Sequence, residues 1–152
     1  MIDVSLKNWG TPKTIAYAIL IALANHPKTN LTCYGFVIGQ TFEPIRIDNV
    51  HDIIDALWKV DTCLHPAEGL QEFFKEHESF KDKEVCIISS AEVMKDTEML
   101  KVCNENRKLI DYMIHCESSG TIDVYKNLKN SKKHIQQIRL PCLLYTSPSP
   151  RD

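Results

Sequence analysis

Apolar residues recur along this chain with two different periods. Short apolar runs at residues 2–4, 31–38, 84–88 and 110–116 predict strands, and the run at 31–38 is nearly continuous, as for a strand covered on both faces. Between the runs, apolar positions return every three or four residues, which predicts helices. Thr11 is a fitting N-cap with Pro12 at the first helical position, and residues 15–24 are apolar on almost every side, so that helix is expected to be buried between layers. Residues 49–60 carry Val50, Ile53, Ile54, Leu57 and Trp58 at helical spacing. Pro66 opens a helix with Leu70, Phe73 and Phe74 inward, and residues 93–106 predict one further helix. Residues 39–44 read as a turn, 45–47 as a short edge strand, and 121–125 and 134–140 as two last strands around a polar turn.

Strands alternating with helices predict an α/β fold, a doubly wound and mainly parallel sheet with helices on both faces. In such a sheet the site lies beyond the carboxyl ends of the strands, where strand order reverses. The loops to inspect are therefore 5–11, 60–66 and 89–92.

Composition narrows the function classes. The formal net charge is −2 with lysines spread along the chain, so no basic stripe for nucleic acid stands out. The densest basic stretch, Lys129 to His134, reads as a solvated hairpin turn. No apolar run reaches transmembrane length, and there is no signal-peptide pattern at Met1, so no membrane partner is expected. Cys33, Cys63, Cys86, Cys103 and Cys116 are dispersed with no C-x-x-C pair, which suits buried reduced thiols in a cytoplasmic protein.

The two ends read differently from the middle. Residues 142–152 back-translate to a string resembling a transposase-based sequencing adapter and are expected to be non-native. A core strand would carry more apolar residues before Asp3, so Met1 reads as an internal methionine. The expected organisation is one domain over residues 1–141, cut short at both ends, followed by the 142–152 tail.

The most specific motif is Asp3-Val-Ser5-Leu-Lys7-Asn-Trp9-Gly-Thr-Pro12 leading into the apolar helix. It resembles the Asp-x-Ser-x-Ser loop of von Willebrand factor A domains, in particular the bacterial type found beside MoxR-type AAA+ ATPases. The resemblance covers most of residues 2–139. It implies a metal-ion-dependent adhesion site built from three loops, with oxygen ligands around a hard divalent cation. Asp3 and Ser5 match that pattern, whereas Lys7 stands where a second serine is expected, Leu64 where a threonine is, and Ser90 where an aspartate is. The degenerate site is thus expected to hold no metal and no cofactor, with an Asp3–Lys7 contact in the cation's place. In the plainer reading, Asp3 and Ser5 satisfy backbone N–H groups of the loop.

Other chemistry is weaker. Cys63-x-His65 lacks a second pair of zinc ligands, and Ser89-Ser90 lacks a nucleophile elbow. The expected function is therefore a non-enzymatic protein–protein interaction module. Its binding face comprises Asp3, Ser5, Lys7, Trp9, Leu64, His65 and Ser90, and the resemblance implies an AAA+ ATPase or its client as partner. The alternatives are a structural subunit of a larger assembly, or a small doubly wound enzyme or phosphoacceptor domain centred on Asp3.

Overall fold

A computed structural model describes residues 1–26, 32–77, 83–128 and 131–141. The chain runs β1 (Ile2–Asp3), α1 (Thr11–Ala24), β2 (Gly35–Ile38), β3 (Phe42–Ile45), α2 (Val50–Trp58), α3 (Ala67–Glu76), β4 (Cys86–Ser90), α4 (Thr97–Glu105), β5 (Tyr112–Cys116), β6 (Thr121–Asn127) and β7 (Lys132–Arg139). Short 3-10 turns at Leu6–Asn8 and Val93–Lys95 follow β1 and β4. The architecture is α/β, with one seven-stranded mixed sheet in the order β3-β2-β1-β4-β5-β6-β7. The four central strands are parallel, β1 pairing with β2 and β4, and β4 with β5. Antiparallel strands flank them, β3 on β2 at one side and β6 and β7 as a meander at the other.

This order places the reversal between β1 and β4. The chain moves outward from β1 to β2 and β3, then returns to the opposite side of β1 for β4. The loops leaving β1 and β4 therefore diverge from neighbouring strand ends, which opens a crevice between them.

The core divides into two apolar clusters. One gathers Leu70, Phe73, Ile87, Met99, Val102 and Met113. The other gathers Ile2, Ile15, Leu20, Ile88, Ile114 and Ile122. Neighbouring strand residues such as Ile87 and Ile88 fall in different clusters, as side-chain alternation requires. Each fully buried Phe, Leu or Ile contributes about 1.5–3 kcal/mol of transfer free energy, before the entropy of ordering is set against it.

Several details depart from the sequence expectation. Gly10, at φ 84°, is the residue preceding α1, with Thr11 and Pro12 inside the first turn. That helix is not buried all round, since Ile21, Ala22 and Leu23 are exposed: only one flank of a helix can face the sheet. Strand β3 begins at Phe42, so part of the expected turn is extended, and Ile47 lies beyond it. Residues 93–106 form a 3-10 turn and a separate helix because Asp96 caps α4, accepting from Glu98 N–H at 3.0 Å. Lys132 and Lys133 belong to strand β7 rather than to a turn, so that strand begins two residues before the expected His134. Cys103 and Cys116 are buried, whereas Cys33, Cys63 and Cys86 are only partly so. The expected tail, 142–152, lies outside the described residues, as do Pro27, Leu31, Lys129 and Asn130. Among the described residues no helix is long and apolar enough to cross a membrane.

Candidate functional site

The three loops singled out in the sequence meet at the β1/β4 reversal. Leu6 N–H donates to Cys63 O at 2.9 Å, and Asp61 N–H donates to Val4 O at 3.0 Å, tying the first loop to the middle one. The Ser90 hydroxyl donates to Lys7 O at 3.2 Å, tying the first loop to the third. Asp96 joins the first and middle loops again, with Lys7 Nζ 3.2 Å from its Oδ2 and His65 Nε2 3.7 Å from its Oδ1.

Asp3 lies beneath this junction and is 2% exposed. Its Oδ1 accepts from Ser5 N–H at 2.7 Å, and its Oδ2 accepts from the Ser89 hydroxyl. Asn8 Nδ2 donates to the Asp3 backbone carbonyl, folding the loop back on itself. Burial pushes the Asp3 carboxyl above its ordinary value, and the donors on Ser5 and Ser89 oppose that shift without cancelling it. The Ser5 hydroxyl is close enough to favour the ionised carboxyl, yet it makes no hydrogen bond of ordinary geometry. It is one of three buried polar atoms without such a bond among the described residues, with Asn8 Oδ1 and His65 Nδ1.

The expected Asp3–Lys7 contact does not form. Lys7 sits on a 3-10 turn whose geometry carries its side chain to the cap of α4, and there it pairs with Asp96. Lys13, on the first turns of α1, is 2% exposed and feels the Asp3 charge, although burial still holds its ammonium below the usual lysine range. Its Nζ donates to Lys59 O just past the end of α2, where a cation complements the helix dipole. The same Nζ stands 4.8 Å over the Trp9 ring.

Around this polar floor, apolar side chains face outward. Leu6 is 45% exposed, Trp9 51% and Leu64 59%. Leu6, Lys7, Trp9, Ser90, Lys95 and Glu117 line an open crevice of about 560 Å³ at the strand ends. Of the residues expected on the face, Lys7, Trp9 and Ser90 line the crevice, Asp3 and Ser5 lie buried below it, and Leu64 and His65 stand on the adjoining loop. A larger cleft of about 690 Å³ lies between the β2–β3 hairpin and α2, away from these loops.

A divalent cation of the kind the resemblance implies does not fit these residues. Both Asp3 oxygens are engaged. The Ser90 hydroxyl bridges Lys7 O and Val93 N–H, and Leu64 offers no oxygen. Lys7 adds positive charge to the same loops. Among the described residues no group of three or more His, Cys, Asp or Glu side chains is placed to hold a metal ion.

Nucleophilic chemistry fares no better. Burial, with Asp61 and Asp3 nearby, pushes the Cys63 thiol up to about 12, far from the thiolate form that attacks. Burial alone would raise Asp61 as well, but the N–H groups of Gln40 and Cys63 outweigh it and hold that carboxyl below its ordinary value.

Sequence reasoning missed Asn8, Lys13, Asp61 and Asp96. Asp61-x-Cys63 and Asp96-x-Glu98 are legible as side-chain-to-backbone turns. Lys13 carries no comparable signal, because a lysine in a first turn normally reads as solvated. No family model, curated protein or solved structure matches this chain, so the reading of the site rests on its own geometry and on the motif resemblance.

Proposed function

We propose that this chain is a von Willebrand factor A-like protein-binding module that works without a metal ion. It engages its partner through the three-loop face at the β1/β4 reversal. The carrying observation is the contrast within that face. Asp3 is bonded to Ser89 and Lys7 is paired with Asp96, whereas Leu6 and Trp9 stand exposed along an open crevice and Leu64 stands exposed on the adjoining loop. Exposed apolar and aromatic side chains beside a buried, cross-linked polar floor are the usual make-up of a protein-binding hot spot. The doubly wound arrangement with helices on both faces belongs to the same proposal, supported by the strand order and by the division of the core into two clusters.

The partner proposed is an AAA+ ATPase of the MoxR type or a client recruited to it, and the place of action is the cytoplasm. The partner rests on the Asp3-x-Ser5 motif and its lead into α1, and the compartment on the dispersed cysteines with no C-x-x-C pair. The test is capture of the purified ATPase by the immobilised chain, with and without a chelator. Trp9→Ala and Leu64→Ala should each weaken capture about tenfold or more, and chelation should change nothing. A requirement for millimolar Mg²⁺, or full affinity in both variants, would sink the proposal.

A further inference from the structure

Strand β7 ends the sheet, and its outer edge has no strand neighbour among the described residues. All of its 8 residues are exposed. Two bonds bracketing the hairpin fix which way its backbone points. Leu140 N–H donates to Gly120 O at 3.1 Å, and Leu128 N–H donates to Ser131 O at 2.8 Å. Alternation along an antiparallel pair then turns the backbone groups of Lys133, Gln136 and Ile138 toward β6. Those of Lys132, His134, Gln137 and Arg139 point outward, with Ile135 the extra residue at the bulge.

The outward-pointing residues pair with Asn127, Tyr125, Asp123 and Thr121, so their side chains share one sheet face. The acid on that face is already occupied. Asp123 Oδ1 lies 2.8 Å from His134 Nε2 and accepts from Gln137 Nε2 at 2.9 Å. Lys132 Nζ stands 4.0 Å over the Tyr125 ring and 3.3 Å from His115 Nε2, next to neutral groups. The Lys132 ammonium leans back across β6 in this arrangement, but Lys132, Lys133 and Arg139 still make β7 a basic strand with no acidic residue.

A second copy of the chain is a poor occupant for this edge. The antiparallel register that pairs all four outward positions sets His134 against Gln137 and Lys132 against Arg139, twice over. Like charges directly opposite each other destabilise a sheet pair. An extended acidic segment reverses that penalty and meets the row of free N–H and C=O groups.

We infer that the outer edge of β7 is a docking site for an extended, acidic segment of a protein partner. It adds as an eighth strand, and its carboxylates lie opposite Lys132 and Arg139. This surface is separate from the three-loop face and does not depend on its role. The opposing view is that the lysines and the bulge only keep the edge from pairing.

The experiment titrates the intact chain with a capped synthetic peptide alternating glutamate and valine, read by amide shifts and hydrogen exchange. The expected result is saturable shifts with slowed exchange at Lys132, His134, Gln137 and Arg139, weakening as salt rises. A lysine–valine peptide should give none. The double variant K132E/R139E should lose the acidic peptide by about tenfold or more and gain the basic one. Gln137→Pro removes an outward N–H while sparing the bonds to β6, and should also lose binding. Silence at millimolar peptide, equal binding of the two peptides, or tighter binding of a single-stranded oligonucleotide at the same amides overturns the inference.

Discussion

The Lys7 ammonium lies 3.2 Å from Asp96 Oδ2, joining the loop after β1 to the N-cap of α4 across 89 positions of sequence. The two residues are not equivalent partners. Lys7 makes this one ion pair, with both side chains partly exposed, which is worth about 1 kcal/mol or less. Asp96 also accepts from Glu98 N–H as the cap of α4, a role worth about 0.5–2 kcal/mol. Lys7→Ala should therefore cost less than Asp96→Ala in urea unfolding. Equal losses would mean that the cap contributes nothing.

Asp3 and Asp96 should respond to pH with opposite signs. Burial raises the folded-state value of Asp3 above the ordinary 3.8, so its contribution to stability is complete below that value and is lost as pH rises through the raised one. For Asp96, burial is outweighed by Lys7 and the Glu98 N–H, and its folded-state value is depressed. Its contribution is present above 3.8 and is lost as pH falls through the depressed value. Across about pH 3 to 7, Asp3→Asn should gain stability relative to the parent as pH rises, and Asp96→Asn should fall behind. A flat Asp3→Asn difference would contradict a disfavoured charge at that position.

What the sequence disclosed follows from how far each signal reaches. The apolar runs at β2, β4 and β5 were legible because their pattern is local and burial is their whole cause. That the loops after β1 and β4 lie at a reversal of strand order was legible too, since it follows from the alternation of strands and helices. Partner choice was not. Asp3 and Lys7 are close in sequence, so a pairing was expected, yet a 3-10 turn carries Lys7 to Asp96 instead. Asp3 meets Ser89 from a strand 86 positions away, a contact no spacing rule encodes. Val50, Ile54 and Trp58 show the same limit from another side. Their spacing marks a helix correctly, but all three are exposed, because the period does not say which flank faces the core.

Lys13 supports the floor of the site from below. Its Nζ donates to Lys59 O, and its charge lies near Asp3. Lys13→Met keeps an unbranched apolar chain but leaves the Lys59 carbonyl without its donor and removes an ammonium that feels the Asp3 charge. The expected loss is about 1–3 kcal/mol. Adding Asp3→Asn should recover part of it, because the buried carboxylate is then gone. A double-mutant cycle measures the recovery. Strict additivity would show that the two residues do not sense each other.

Gly69 gives a sign test of packing against propensity. It lies inside α3, where an exposed glycine replaced by alanine would gain about 1 kcal/mol from helix propensity alone. A Cβ on Gly69, however, would stand 2.5 Å from Thr41 O and 2.6 Å from Gly39 O. Both are backbone atoms of the β2–β3 turn, held by the Gly39 N–H bond to Thr41 O at 2.9 Å, so neither can rotate away. Relief requires α3 to shift from the turn, which disturbs the packing of Phe73 on Phe36 and Phe42. Overpacking of this kind costs about 1–3 kcal/mol, enough to reverse the propensity gain. Gly69→Ala should therefore lower the midpoint of thermal or urea unfolding. A stabilised variant would show that α3 does not approach the turn this closely.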